Sequence, residues 1–192
     1  MKYEKINTGT WQRGGLFRFY IEELRNVMSM TVDMDVSPLV AFVRRNQLKF
    51  YPVMMWAVSK AVNSRAEFRY GWDADGDLIR WEYVSPYYAD FHKQDESCVK
   101  LVTEYSDDLF CFHARFLADR ERFRDLRAFD LKMIPPNTFD VSCLPWVKYR
   151  SFDIHVFDEG KYLAPVVTWG KFERESGKTV MPLSMNIHHA VA

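Results

Sequence analysis

The sequence predicts an α/β fold, a two-layer sandwich of helices on a mixed β-sheet. Three observations carry the prediction. Apolar helical stretches lie early in the chain and again in the middle. Strand-like alternation fills much of the C-terminal part. A hairpin signal, Asp75-Gly76, separates two aromatic-rich segments. Strands at both ends with helices between them give a layered arrangement rather than separate units. A length of 192 residues suits one domain, residues 1–192, and no linker or repeat divides it.

The elements follow in order. Ser37-Pro38 opens a helix, with proline where its missing N–H costs nothing, and Leu39, Val40, Phe42 and Val43 follow. A second helix starts near Tyr51-Pro52. Its Val53, Met54, Ala57, Val58, Ala61 and Val62 make it apolar over much of its surface, so it should be deeply buried. Asp75-Gly76 turns a hairpin between Phe68–Trp72 and Leu78–Val84. A third helix begins near Ser106, an N-cap, with Asp107 and Asp108 in its first turn and Asp119 to Arg127 as its solvated face and end. Ser151 to Val156 alternates, placing Phe152, Ile154 and Val156 on one strand face. Leu163 to Phe172 reads as another strand and Val180 to His189 as the last. On that last strand Met181, Leu183, Met185, Ile187 and His189 share a face, and Ser184, Asn186 and His188 share the other.

Composition narrows the function. Lys plus Arg and Asp plus Glu are 26 each, so the formal charge is zero. That argues against a nucleic-acid binder held mainly by phosphate contacts, and no nucleic acid is expected. A net charge of zero leaves association open. Aromatic residues reach 16%, enough for a dense core, an aromatic pocket or an interface. No apolar run approaches the ~20 residues of a membrane span, and the N-terminus lacks a secretory core, so a cytoplasmic protein without a membrane partner is expected. Cys98, Cys111 and Cys143 match neither a zinc motif nor a disulfide framework. They read as free thiols, with a Cys-His pair left open by residue types alone.

Of five histidines, only His188-His189 form a local feature. Neighbours on a strand face oppositely, so the two cannot easily chelate one ion, and no metal is expected. One histidine there is either a strand-end side chain bonded to backbone or a general base, a role that suits an imidazole of pKa about 6.5. Ser142, in Val141-Ser142-Cys143-Leu144-Pro145-Trp146, ends a strand before a Pro-Trp turn. No nucleophile-elbow pattern surrounds it, which disfavours a hydrolase. Its hydroxyl is either bonded to backbone or a donor to an oxyanion.

Blocks along nearly the whole chain resemble the chloramphenicol acetyltransferase family. They are Trp11-Gln12-Arg13 with Phe17-Arg18-Phe19-Tyr20, Lys49 to Met54, Asp90-Phe91-His92, Ser142 to Trp146, Ser151-Phe152, Ala164 to Thr168, Pro182-Leu183-Ser184, and Ile187 to Val191. The family's signature is His-x-x-x-Asp-Gly, whose first four positions fit His189-Ala190-Val191-Ala192. The resemblance implies the fold shared with CoA-dependent acyltransferase cores of 2-oxoacid dehydrogenase complexes. It also implies acetyl transfer from acetyl-CoA to the primary hydroxyl of chloramphenicol, which confers resistance to the antibiotic.

By the same resemblance His189 is the general base, with its second ring nitrogen tied to its own carbonyl. Ser142 donates to the tetrahedral oxyanion, and Thr168 holds a water near it. Tyr20, Leu24, Cys98, Phe129, Ile154, Val156 and Val166 resemble drug-pocket positions, with Cys98 replacing a bulkier aromatic. Trp146 and Lys171 resemble coenzyme A contacts. Arg13 resembles the arginine that pairs with the signature aspartate. The family is a homotrimer, with each site between two subunits.

The chain ends before the Asp-Gly of the signature, and the family continues into a C-terminal helix. A single domain lacking that helix, an Arg13 without its partner and a partly uncovered core are therefore expected. Two other readings stand beside the first: a related CoA-dependent acyltransferase with another acceptor, and a truncated fragment that keeps fold and binding surfaces without turnover.

Overall fold

The computed structural model describes residues 1–127 and 134–192. In chain order the elements are β1 (Tyr3–Lys5), α1 (Gly14–Arg18), β2 (Val27–Asp35), α2 (Ser37–Arg45), α3 (Phe50–Asn63), β3 (Tyr70–Trp72), β4 (Leu78–Trp81), β5 (Ser85–His92), β6 (Ser97–Val102), α4 (Leu109–Arg122), β7 (Thr138–Cys143), β8 (Val166–Trp169), β9 (Glu173–Glu175) and β10 (Lys178–His188). The main sheet runs β2-β10-β8-β7-β5-β6, with β9 paired to β10. The β5–β7 and β7–β8 pairs are parallel and the others antiparallel, so the sheet is mixed as expected. A separate antiparallel sheet, β1-β4-β3, contains the hairpin around Gly76, whose φ of 83° suits glycine.

One face of the main sheet carries the core. Tyr88, Val99, Leu101, Phe139, Val141, Val167, Trp169 and Met181 meet Met54, Met55, Val58 and Val62 of α3 and Phe112 and Phe116 of α4. α3 is buried as its sequence predicts, with Val53, Met54 and Met55 at 2% exposure or less. Between α2, α3 and β10 an apolar trough of about 430 Å³ stays open, lined by Leu39, Met54, Val58, Val62, Leu183 and Met185 among others. Among the described residues no helix is long and apolar enough to cross a membrane.

Several elements differ from expectation. α4 starts at Leu109 because the Asp108 carboxylate, not Ser106, caps it, accepting from the Cys111 amide at 2.7 Å. The Ser106 hydroxyl accepts from the Asp108 amide instead. β8 is shorter than Leu163–Phe172, because Pro165 has no N–H for a ladder and Gly170 ends the strand. Residues 151–157 form no strand. Alternation alone does not make one, and this segment attaches by side chains: Asp153 accepts from Asn186 at 3.4 Å, and Phe152 packs on Tyr149 with ring centroids 5.4 Å apart. β10 ends at His188, so His189 lies in the turn beyond it.

β2 has no counterpart in the sequence reading, although Met28, Met30, Val32 and Met34 alternate with Ser29, Thr31 and Asp33. It pairs with β10 from Val27↔His188 to Asp35↔Val180. Its side chains remain mostly exposed in the single chain, Met30 at 68%.

The Phe116 ring sits 5.2 Å from Tyr88 and 5.7 Å from Tyr51 at 1% exposure, so it joins α4 to both the sheet and α3. Phe116→Ala is expected to cost about 3–5 kcal/mol of unfolding free energy, as large-to-small changes at closed sites do. Urea denaturation followed by circular dichroism measures it. A loss below ~1 kcal/mol would show that α4 does not anchor the core.

Candidate active site

The sheet face opposite the helices is polar. Successive residues of a strand face oppositely, and register partners on adjacent strands share a face. Ser142 on β7 is opposite Thr168 on β8, Thr168 is opposite Ser184 on β10, and Ser184 is opposite Thr31 on β2. Four hydroxyls thus form one row across four strands. The Ser184 and Thr31 hydroxyls lie 2.6 Å apart, and the next row joins Asn186 to Ser29 at 2.6 Å.

Within this row Thr168 is 1% exposed, and its hydroxyl has no hydrogen-bond partner among the described residues. A buried polar group left unpaired costs about 1–3 kcal/mol. Such a group therefore marks a place where an incoming molecule can complete the bonding. The Asn186 side-chain oxygen on the same face is also unpartnered among the described residues.

Histidines end the face at β10. His188 is 2% exposed, and its Nδ1 accepts the Ala190 amide at 3.1 Å. Its carbonyl accepts the Val191 amide at 3.1 Å, which closes the turn. Burial lowers the pKa of His188, which favours the neutral ring that such acceptance requires. His189 donates its amide to the Asn26 carbonyl at 3.0 Å, and its ring lies 4.2 Å from that of Tyr20. The expected tie from the His189 ring to its own carbonyl is absent: the buried Nδ1 has no partner among the described residues. The turn after β10 directs the ring against Tyr20 instead.

Arg13 also differs from expectation. It is not left unpaired, because its guanidinium donates to the Ala192 carbonyl and lies 5.9 Å over the Trp11 ring. It therefore reaches the segment that carries His189.

The other predicted residues fall into groups. Val166 shares the polar face, opposite Asp140 and Asn186. Cys98 is on β6 opposite Phe91, exposed and with its thiol free. Tyr20 stands with His189. Leu24 is half exposed at 50% beyond α1, and Ile154 and Val156 lie on the irregular segment, Val156 exposed. Phe129 lies outside the described residues. Two residues of the face were missed: Asp140, two positions before Ser142, and Lys100, two positions after Cys98.

At the C-terminal end of β7 and β8 a cavity of about 390 Å³ is lined by Phe50, Tyr51, Cys143, Trp169, Gly170 and Lys171 among others. Gly170 is required there, since a Cβ would meet the Val147 carbonyl oxygen at 2.7 Å and Pro182 at 2.8 Å. Lys171 is exposed at its edge, and Trp146, just beyond Pro145, is 70% exposed. An apolar slot with a cation at its rim fits a long thioester chain ending in phosphates. Burial pushes the Cys143 thiol up to about 12, which favours the protonated thiol at neutral pH. Among the described residues no three His, Cys, Asp or Glu side chains converge as a metal site requires.

The profile of the family described as chloramphenicol acetyltransferase matches residues 1–192. The chain is 32% identical over 192 residues to a chloramphenicol acetyltransferase of Clostridium butyricum, covering 100% of this chain and 88% of that protein. It is 34% identical to chloramphenicol acetyltransferase 3 of Escherichia coli, covering 100% and 90%. A solved chloramphenicol acetyltransferase superposes with TM-score 0.84 at 19% identity, over 100% of this chain and 92% of that one. The dihydrolipoamide acetyltransferase of Azotobacter vinelandii superposes with TM-score 0.68 at 17% identity, over 98% and 84%, and shares the fold.

The burial of the three thiols yields a test. Cys98 and Cys111 are exposed and Cys143 is partly buried with a raised pKa. At pH 7.5 a disulfide reagent is expected to titrate two thiols quickly in the native protein and the third only after unfolding. Fast reaction of all three would contradict the protonated state of Cys143.

Proposed function

The chain belongs to the chloramphenicol acetyltransferase family, and we propose that it transfers acetyl from acetyl-CoA to the primary hydroxyl of chloramphenicol. The single observation that carries the reading is the register of Ser142 with Thr168. Two hydroxyls named by separate sequence blocks become neighbours on one face, and one of them lacks a partner among the described residues.

In this proposal His189 takes the proton of the acceptor hydroxyl. The alkoxide oxygen attacks the thioester carbonyl, and Ser142 donates a hydrogen bond to the resulting oxyanion. Thr168 orders a water beside it. Collapse breaks the carbon–sulfur bond, and the coenzyme A thiolate recovers the proton from the imidazolium. No acetyl-enzyme forms. Trp146 and Lys171 hold the coenzyme. Tyr20, Leu24, Cys98, Phe129, Ile154, Val156 and Val166 surround the drug.

A homotrimer with sites between subunits is part of the proposal, and strand geometry supports it. His188 ends β10 four residues past Ser184, about 13 Å at ~3.3 Å per residue, and β7 lies two strand spacings away, about 10 Å. Side chains stand roughly perpendicular to a sheet, so this separation of about 16 Å is not closed by them. This separation supports a site in which His189 of one copy meets Ser142 of the next across an interface. The apolar row Met28, Met30, Val32 and Met34, exposed on edge strand β2, is a surface for such a contact.

Thiol release from acetyl-CoA, with and without chloramphenicol, tests the reading directly. Drug-dependent release is expected, and no release with a folded protein would overturn it. Ser142→Ala should lower kcat by about 10²–10³, the usual cost of one oxyanion donor. His189→Ala should abolish transfer without disturbing assembly. Co-folding the two inactive variants in equal amounts should restore about a quarter of the sites, because a mixed trimer can join an intact histidine to an intact serine. Failure of complementation, with mixed trimers present, would place each site within one chain.

A further inference from the structure

We infer that His188 is a positioning residue of the site: its neutral ring, accepting through Nδ1, folds the turn that aims His189. This rests on the acetyltransferase reading, which makes His189 the base, and deepens it by naming the group that holds the base. The last ladder pair of β10 is Val27↔His188, so His189 lies one residue beyond the strand. A side chain on a turn is aimed only as well as the turn itself is held.

Three successive amides follow the ladder, and each is taken. The His189 N–H donates to the Asn26 carbonyl at 3.0 Å, the Ala190 N–H to His188 Nδ1 at 3.1 Å, and the Val191 N–H to the His188 carbonyl at 3.1 Å. His188 thus accepts twice, once through its ring and once through its backbone. Its backbone belongs to β10, so the turn is tied to the strand whose register sets the hydroxyl row. The tie is shut away from water, with His188, Ala190 and Val191 all at 2% exposure or less. A buried N–H without an acceptor is rarely left in a folded chain. Removing Nδ1 therefore forces the turn to rearrange, and the His189 ring, 4.2 Å from that of Tyr20, moves with it.

The two adjacent histidines divide the work by exposure and by what their nitrogens do. His188 is buried with Nδ1 engaged, which suits holding rather than proton transfer with a substrate. His189 is half-buried, and its Nδ1 has no partner among the described residues. A ring nitrogen that accepts carries no proton, so the His188 ring is neutral with its proton on Nε2. Burial favours that state by lowering the pKa, and the His189 charge acts in the same direction. The Gly160 backbone and the Asp158 carboxylate oppose it only in part. An asparagine at 188 places Oδ1 as many bonds from Cα as Nδ1 and can accept, whereas a leucine fills the space without accepting.

The test compares His188→Asn with His188→Leu on the full chain, by steady-state kinetics and by hydrogen exchange of the Ala190 amide. If His188 only filled space, leucine would be the milder change at so buried a position. Acceptance predicts the reverse order. His188→Leu should lose about 10²-fold in kcat, as a misplaced catalytic group does, with KM for acetyl-CoA within about threefold of the wild type. Its Ala190 amide should exchange about tenfold faster or more. His188→Asn should restore most of the rate and most of the protection. A leucine variant that matches the wild type, or an asparagine variant no better than leucine, overturns the inference. If the leucine variant does not fold, the asparagine variant decides alone: wild-type protection of Ala190 supports the inference and its loss overturns it. If the wild type acetylates nothing, the acetyltransferase reading fails, and the order of Ala190 protection still decides what the His188 ring holds.

Discussion

The register of β10 is the constraint on which the rest depends. The strand runs from Lys178 to His188 and pairs with β2, β8 and β9. A slip of one residue would exchange its faces. Met181 and Ile187, both at 5% exposure or less, would leave their apolar surroundings, and Ser184 and Asn186 would be driven into them. Neither exchange is tolerable: apolar surface would return to water, and buried amide and hydroxyl groups would lose their partners. The two penalties act together, so the same strand that closes the core also fixes the hydroxyl row on the other side.

That coupling explains how a site can hold unsatisfied groups. Thr168 stands between Val167 and Trp169, which point into the helix-packed core at 3% and 1% exposure. Packing on one face immobilises the backbone, and the opposite side chain is held even though its hydroxyl lacks a partner among the described residues. Gly170 and Pro165 bound this short strand, one by admitting the Val147 carbonyl and the other by ending the ladder. The hydroxyl row is therefore built on sheet rather than on loops, the arrangement that gives the more constant geometry.

How far this was legible in the sequence follows from how local each signal is. α2 and α3 were readable because proline near each start and apolar spacing lie within one segment. Ser142 and Thr168 were readable one at a time, from their blocks. Their partnership was not, because a parallel pair joins residues 26 positions apart in sequence through a register that no short pattern encodes. Ser151 to Val156 failed for the opposite reason. It has the right alternation and no strand to pair with, so its side chains make the attachments that a ladder would have made. The Ser142 neighbour Asp140 escaped notice because a carboxylate beside an apolar run reads as solvated until Lys100 and Tyr162 are brought to it from other strands and loops.

The same separation of scales bears on the histidines. A strand can specify which face a residue takes, but it cannot shorten the distance between its own two ends. With Thr168 aligned to Ser184, the end of β10 lies far from β7 by the pitch of the strand alone. Bringing the two ends closer within one chain would need a bulge or a shift in β10, and either would disturb the facing of Met181 and Ile187. The proposed homotrimer would avoid that conflict. A second copy would present its own β10 end while each copy keeps its register, and edge strand β2, which pairs with β10 along nearly its whole length, would offer an apolar surface. The register that makes the core unyielding is thus one reason to propose that the site is completed by a second copy.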